Sequence, residues 1–447
     1  MNTLRISTAG KALLRSASKI AIENYFNSMP AGRRRLRWLK QNNPYRVRCT
    51  QQYDKDLKVG SVQHAELIGY VAASGPAHVV DGWSLVSRAI DAALKGDNYA
   101  AVHFGYYAEL RAAASLLACE GVGIFNTKHP IVESTVLTRP MPNGEKLNPA
   151  TNTWARGRDL STHSIVWLAL QHWAGRRSSA DLIHHCIQPD GIALTEWLDA
   201  AGHPVSFGPI AKMWLTKWGL DLSLLEDDHN SRNLVSYRPS EFRTPPALPT
   251  EELIEFVEDL WRMFEPGNAR RFPTLERHLL RRTLRTTGGV MPDRAALETI
   301  GLEAAKAIDW VAFFAQPNEL LPLRYAEMNS SVEDPRCHLQ IISRAALLLY
   351  LATMASRRVL SRASYTTETL RFWWERHGTK RGLWDETSKP DEPADLWADV
   401  EADINDSRTW RESLPQPASL RTFRRDQLPK LDRVVDFELA GIWGLLP

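Results

Sequence analysis

Residues 229–239, HNSRNLVSYRP, combine side chains that can bind phosphate and move protons. Arg232, Asn233 and Tyr237 stand at positions i, i+1 and i+5, and His229 lies three residues before the arginine. A guanidinium can hold a phosphate through two parallel hydrogen bonds, and an imidazole can exchange a proton near neutral pH. A polar cluster directly before a helix-ending proline is unusual for a buried helix. The segment is therefore a candidate functional site whose side chains could bind phosphate.

A second group of basic residues has helical spacing. Arg277, Arg281 and Arg285 recur every four residues, so on a helix they would form a ridge along one face. Such a ridge can follow the phosphates of a nucleic acid. Charged ridges are more often solvated or paired with acidic side chains, and that alternative stays open. We interpret the three arginines as candidate RNA contacts.

The sequence has no motif for a common metal or nucleotide cofactor. It contains no HExxH, no Walker A loop and no GxGxxG, and its four cysteines are scattered without a CxxC pair. Zinc sites need closely spaced ligand pairs, so a cysteine-based zinc site is not expected. We therefore predict neither a metal nor a cofactor. One further Arg–His pair, Arg158–His163, has a spacing similar to that of the first motif, but the N-terminal end of a helix explains it equally well.

Helical periodicity dominates the chain, whereas strand signals are scarce. Apolar residues recur every three or four positions in seven segments: 79–95, 99–120, 161–174, 179–201, 251–263, 297–315 and 339–358. The pattern predicts an all-α fold. Residues 98–125 are crowded with alanine, glycine and aromatic residues, and small side chains let a second helix approach closely. We expect a central core helix there.

Two of these segments together resemble the HEPN superfamily of helical bundles. Tyr106–Tyr107–Ala108 leads to Leu116–Leu117 and Gly121, similar to the run of small apolar residues in the first helix of that family. Arg232–Asn233 resembles the opening of the later helix, in which an arginine and a polar residue precede a histidine by four to six positions. The resemblance covers roughly residues 80–240. The family's histidine position is occupied here by Tyr237, and His229 could substitute for it.

The resemblance implies an RNA-directed effector or toxin-type component of a bacterial antiphage defence system. Many family members are metal-independent endoribonucleases that pair as homodimers, so a homodimer, RNA and a protein partner from a defence operon are the implied partners. Arg232 would hold phosphate, Asn233 would orient it, and Tyr237 or His229 would serve as acid or base. The alternative is a non-catalytic helical scaffold that docks a partner, because other members of the family have lost catalysis.

Prolines and glycines that interrupt the helical periodicity suggest the domain boundaries. We predict a basic extension over 1–60, the HEPN-like bundle over 61–243 and a C-terminal helical domain over 250–447, with a loop or flap at 138–157 and a linker at 238–249. The net charge is only +3, but residues 33–48 hold seven basic and no acidic residues. The longest apolar stretch, Leu339–Ala355, is too short and polar to span a bilayer. A cytoplasmic protein without a membrane segment is expected.

Overall fold

Helices make up most of the chain in the computed structural model. It describes residues 4–34, 37–148, 151–157, 160–202, 210–222, 224–237, 248–268, 271–286, 290–413, 419–431 and 433–447. Of these residues, 68% lie in helices and 5% in strands. The predicted all-α class is therefore confirmed.

The helices are numbered in chain order. Those before the candidate phosphate motif are α1 (Thr8–Ser16), α2 (Lys19–Ser28), α3 (Ala31–Arg34), α4 (Tyr45–Val59), α5 (His64–Leu94), α6 (Asn98–Cys119), α7 (Thr162–Ala174), α8 (Arg177–Cys186), α9 (Leu194–Ala200) and α10 (Ile210–Lys217). From the motif onward they are α11 (Leu224–Tyr237), α12 (Thr250–Met263), α13 (Pro273–Thr286), α14 (Arg294–Thr299), α15 (Ala304–Ala315), α16 (Leu321–Ala326), α17 (Cys337–Arg362), α18 (Arg371–Arg381), α19 (Trp397–Glu412), α20 (Leu420–Asp426) and α21 (Glu438–Leu445).

Two small antiparallel sheets interrupt the helices. The first has the order β1 (Leu4–Arg5), β4 (Glu145–Asn148) and β5 (Thr153–Arg156), and the second is a hairpin of β2 (Pro130–Ser134) and β3 (Leu137–Pro140). The prediction of a loop over 138–157 was therefore wrong for most of that segment. Its strands are stabilised by a distant partner, because Arg5 pairs with Glu145 at 2.7 Å and lies over the Trp154 ring.

Helix α6 is the central helix predicted from residues 98–125. It packs along both α5 and α17, and most of its residues are buried. Small side chains permit this close packing: a Cβ atom added to Gly105 would lie 3.1 Å from Cγ2 of Ile341 on α17. A glycine at this position therefore allows the α6 and α17 backbones to approach each other. The expectation of a central core helix is confirmed.

Helix α17 joins the C-terminal part of the chain to the same core. By length and composition alone it could cross a membrane, but its apolar window is completely buried inside the protein, as in the core helix of a soluble protein. It packs against α5 and α6, and Trp83 Nε1 donates to Thr353 Oγ1 at 3.0 Å. One hydrophobic cluster contains buried residues from Ile6 to Leu446.

The predicted boundaries at 60 and 243 thus do not separate independent cores. The N-terminal helix α2 also lies against α5 and α17. A boundary inferred from prolines marks a break in helical periodicity, whereas a domain boundary requires that few contacts cross it. Most of the predicted linker at 238–249, namely residues 238–247, lies outside the described residues.

Candidate functional site

The position of α11 is fixed by a buried ion pair with α17. Asp228 and Arg344 are both fully buried, and the guanidinium donates from Nε to Asp228 Oδ2 at 2.7 Å and from Nη2 to Oδ1 at 2.6 Å. Arg344 Nη1 also donates to the carbonyl of Met328 at 2.8 Å. A bidentate pair removed from water resists rearrangement, because separating it would leave a buried charge without a partner. The pair therefore sets the rotation of α11 about its axis.

Glu109 on α6 is a second carboxyl beside the same guanidinium. Its Oε1 lies 3.8 Å from Arg344 Nε, and neither of its carboxyl oxygens has a hydrogen-bond partner among the described residues. Burial, followed by the nearby Asp228 charge, raises the pKa of Glu109 well above its ordinary value. Burial and the Asp228 charge thus both favour the protonated, uncharged form of Glu109 beside the Asp228–Arg344 pair.

The surface of α11 next to Asp228 brings three residues of the predicted site together. Arg232 Nη1 donates to Asn233 Oδ1 at 2.7 Å, and Asn233 Nδ2 donates to His229 Nε2 at 3.3 Å. In this arrangement the His229 proton is on Nδ1, because Nε2 accepts the amide hydrogen bond. The structure thus connects Arg232, Asn233 and His229 in one hydrogen-bonded chain, although they were selected from sequence spacing alone.

Arg232 is buried against two tyrosines of α6. Arg232 is only 7% exposed, and its Nη2 donates to Tyr107 Oη. Its guanidinium lies 4.9 Å from the Tyr107 ring centre and 5.6 Å from the Tyr106 ring centre. Among the described residues no carboxylate lies within ion-pair distance of it, and Nε has no hydrogen-bond partner. A buried cation without a neutralising carboxylate favours an anion as its missing partner.

Helix α7 contributes a histidine that sequence analysis did not assign to the site. The His163 ring stacks on the His229 ring, with centres 4.9 Å apart and planes 11° apart, and His163 Nδ1 lies 2.7 Å from Tyr106 Oη. His163 follows the N-cap Ser161 in the first turn of α7. In the sequence, the only indication that His163 could belong to a site was its spacing from Arg158. That arginine lies outside the described residues.

Burial shifts the protonation of the imidazoles in this cluster. Burial, then the His163 and Arg232 charges, lowers the pKa of His229 to about 4. Burial and the Arg232 charge also lower the pKa of His163 and of His103, whose Nδ1 lies 3.0 Å from Ser236 Oγ on α11. The imidazoles of this cluster are therefore neutral at pH 7, and Arg232 supplies its positive charge.

Tyr237 does not join the cluster. The side chain is 80% exposed at the C-terminal end of α11, where it is directed into solvent. Tyr237 is the last residue of α11 and lies nine residues after the buried Asp228, about 180° away around the helix axis, so its side chain is directed away from the core. Tyr237 therefore lies apart from the cluster, and its assignment as acid or base stays a prediction.

The arginines of α13 do not form an exposed ridge. Arg281 is fully buried and donates to the carbonyls of Phe313, Gln316 and Asn318 at 3.0–3.2 Å. The half-buried Arg277 lies 4.5 Å from the Trp310 ring centre, and Arg285 alone of the three is exposed. The carbonyls at the C-terminal end of α15 carry a partial negative charge that attracts these guanidinium groups. The expected RNA contacts at Arg277 and Arg281 are therefore corrected to contacts that hold α15.

Comparison of the chain with family models, with curated proteins and with solved structures found no match. The chemistry of the site therefore has to be inferred from its own geometry. The cluster consists of a buried guanidinium, two stacked neutral imidazoles, a side-chain amide and two phenols. These groups can bind an anionic oxygen, accept a proton and donate one, which is the set that phosphodiester cleavage requires.

Proposed function

We propose that the chain is an RNA-directed effector whose cluster of Arg232, Asn233, His229 and His163 cleaves RNA without a metal ion. The observation that carries the proposal is the buried Arg232 guanidinium, which has a free Nε donor, no carboxylate partner among the described residues and two imidazoles beside it. A phosphate diester bears the single negative charge that would neutralise this arginine. It would also accept the donors that the protein leaves unused.

The reaction can be written with the groups that are present. When the Asn233 amide turns from His229 to the bound phosphate, the Nε2 atom of His229, which is neutral at pH 7, takes the proton of a ribose 2′-hydroxyl, and the 2′-oxygen forms a bond to phosphorus. The bond from phosphorus to the 5′-oxygen breaks, and that oxygen receives a proton from His163, which Tyr106 positions at 2.7 Å. The products are a 2′,3′-cyclic phosphate and a 5′-hydroxyl end. The charge of Arg232 would stabilise the phosphorane as negative charge develops on it.

Binding of the substrate would also favour protonation of His163, the proposed general acid. Burial lowers the pKa of His163 in the free protein, and the Arg232 charge lowers it further, because two nearby positive charges repel each other. A phosphate placed on Arg232 would offset that repulsion and raise the pKa of His163 toward its ordinary value. The imidazole could then carry the proton that the leaving oxygen needs. His229 and His163 would thus differ in protonation only when substrate is bound.

The biological setting is proposed from the HEPN resemblance. Each of the two segments that carry that resemblance contributes to the cluster, because Arg232 contacts both Tyr106 and Tyr107. We extend the proposal to a toxin-type or antiphage component in bacteria that acts as a homodimer, with a partner protein from the same defence operon. This contact between the two segments supports the proposal, because their sequence separation gives no reason for them to meet.

A non-catalytic scaffold is the second candidate function. It is favoured by the contacts of Arg232 with the Tyr107 hydroxyl and with both tyrosine rings, since these contacts also join α11 to α6. In that function Arg232 would stabilise the fold, and the cluster would serve as part of a docking surface. The two functions differ in whether the imidazoles are needed for a reaction.

Cleavage of RNA in the presence of EDTA tests the proposal. We expect the wild-type protein to cut RNA and to leave 2′,3′-cyclic phosphate ends. His229→Gln and His163→Gln should each lower the rate by about 10²–10⁴-fold, the usual contribution of a general acid or base. His185→Gln is a matched control, because His185 is a half-buried histidine of α8 whose pKa burial likewise lowers to about 4.

The outcomes separate the two functions. Loss of cleavage in the two site variants, with the His185→Gln rate unchanged, would support the ribonuclease. Cleavage that continues at the wild-type rate in both site variants would exclude this cluster as the catalytic site. A wild-type protein that cuts neither single-stranded nor structured RNA, as a monomer or dimer, would favour the scaffold.

A further inference from the structure

A cavity of about 590 Å³ opens on the side of the protein formed by α5, α6, α18 and the segment before α4. Arg37, Trp38 and Arg46 line it from the basic N-terminal segment, Arg111 from α6 and Arg376 from α18. Four separate parts of the chain therefore supply its wall. The basic run at 33–48, unexplained by the proposed ribonuclease site, contributes directly to this cavity.

The charge of the cavity wall is strongly unbalanced. Among the described residues that line the wall, four are arginines, at 37, 46, 111 and 376, and one, Asp81, is a carboxylate. His78, also in the wall, accepts a hydrogen bond from Arg111 Nη1 at 3.1 Å, and burial lowers the pKa of His78 to about 3. The histidine is therefore neutral. The four guanidinium groups face a single negative charge, which leaves an excess of positive charge in a concave surface.

Several of these guanidinium groups retain unused donors. Arg37 Nη1 donates to the amide oxygen of Gln41 at 2.9 Å, and Arg46 Nη1 lies 3.4 Å from the Gln41 carbonyl. Arg111 lies 3.7 Å from Asp81, a long ion pair. Across the part of the chain that the structure describes, Arg37, Arg46 and Arg376 have no carboxylate within 4.0 Å. Such groups can donate to the oxygens of a polyanion without breaking an existing ion pair.

Aromatic and small apolar side chains complete the wall. Trp38 and Tyr70 line the cavity together with Ala73 and Ala77 on α5. The Trp38 ring is held in place by an edge contact with Phe372, with ring centres 5.4 Å apart. An aromatic ring beside arginines offers both a surface on which a planar base can stack and donors for its phosphates.

We propose that this cavity binds a nucleotide, with the triphosphate against the arginines and the base against the Trp38 and Tyr70 wall. The volume lies within the range of about 300–1,000 Å³ that is typical of small-molecule sites, and an inorganic anion alone would leave most of it empty. The chemical class follows from the combination of excess positive charge and aromatic surface. The proposal does not rest on the ribonuclease function.

Calorimetric titration of the full chain tests the nucleotide site. The probes are the four ribonucleoside triphosphates, adenosine, inorganic pyrophosphate and a single-stranded oligoribonucleotide. We expect at least one triphosphate to bind at least tenfold more tightly than adenosine and pyrophosphate. Arg46→Glu combined with Arg376→Glu should weaken that binding by tenfold or more. Both arginines are exposed, so the reversal of charge should leave folding intact.

Arg421→Glu combined with Arg424→Glu is the matched control, because it makes the same change of charge on exposed arginines of α20. This control should bind the triphosphate as tightly as the wild type. The proposal is overturned if no triphosphate binds at millimolar concentration, or if the Arg46/Arg376 variant binds with unchanged affinity. It is equally overturned if pyrophosphate binds as tightly as every triphosphate, or if only the oligoribonucleotide binds.

Discussion

Arg232 and Arg281 are both buried, but their guanidinium groups have different partners. Arg281 donates to three backbone carbonyls and lies 3.6 Å from Glu319, so its charge and its donors are largely satisfied. Arg232 contacts a phenol and an amide and has no carboxylate partner among the described residues. Burial alone does not decide whether an arginine is structural. What decides it is whether a carboxylate or other acceptors already neutralise the guanidinium charge. By that criterion Arg232, rather than Arg281, is suited to bind an anion.

His229 provides a test at the scale of a single residue. Its pKa is lowered from an ordinary value of 6.5 to about 4, so on acidification the unfolded chain binds this proton before the folded protein does. The unfolding free energy that His229 contributes is therefore present above pH 6.5 and is lost progressively as the pH falls toward 4. Replacing His229 with Gln should reduce the fall in Tm between pH 7.5 and pH 5.

Thermal melts of both proteins at the two pH values measure this difference. The far-ultraviolet circular dichroism at pH 7.5 serves as the control that the variant is folded. An equal fall in Tm for the wild type and His229→Gln would contradict the buried, neutral state of this imidazole. Other buried histidines, including His278 and His338, also have pKa values lowered to about 4. Because of them, the Tm of His229→Gln should still rise with pH, but less steeply than that of the wild type.

At the scale of elements, α17 determines where α11 presents its polar face. The sequence predicted each helix from its own periodicity, but periodicity gives no information on which helices meet. Arg344 lies in the apolar part of α17, and its partner Asp228 is 116 residues away in sequence. A single charge in an apolar helix was visible in the sequence. Its partner could not be chosen among the 52 acidic residues of the chain.

Replacing Arg344 with Met tests this anchoring. The substitution would leave Asp228 buried without its counter-charge, and we expect the unfolding free energy to fall by about 3–5 kcal/mol. Arg362→Met on the same helix is the matched control, because it removes an exposed ion pair with Glu23 and should cost about 0–1 kcal/mol. Urea denaturation measures both values. Equal stability of the two variants would contradict the role of the buried pair.

For the whole molecule, the sequence was sufficient to predict the class of the fold but not which distant elements pack together. Repeated apolar spacing identifies helices because it follows from the geometry of a single element. The strands β4 and β5 were missed because β4 is stabilised by pairing with residues at the N-terminus. Contacts across the predicted boundaries could not be foreseen for the same reason, since α17 buries its surface against α5 and α6 from an earlier part of the chain.

The candidate site was predicted in part for a related reason. His229, Arg232 and Asn233 lie within one turn of α11, so local spacing was enough to group them. His163 comes from α7, and Tyr106 and Tyr107 come from α6, so only the tertiary packing brings them to α11. Tyr237 was included because it occupies the histidine position of the HEPN pattern, but its side chain is exposed at the end of α11.

The most direct test of the central claim compares RNA cleavage in EDTA by the wild type, Arg232→Lys and Arg232→Met, together with thermal melts. Lysine keeps a positive charge and much of the buried volume but cannot form the paired hydrogen bonds of a guanidinium. We predict that Arg232→Lys stays folded and cleaves at least about 10²-fold more slowly, and that Arg232→Met loses cleavage further. Wild-type cleavage rates in folded Arg232→Lys and Arg232→Met would contradict the assignment of Arg232 as the phosphate-binding residue.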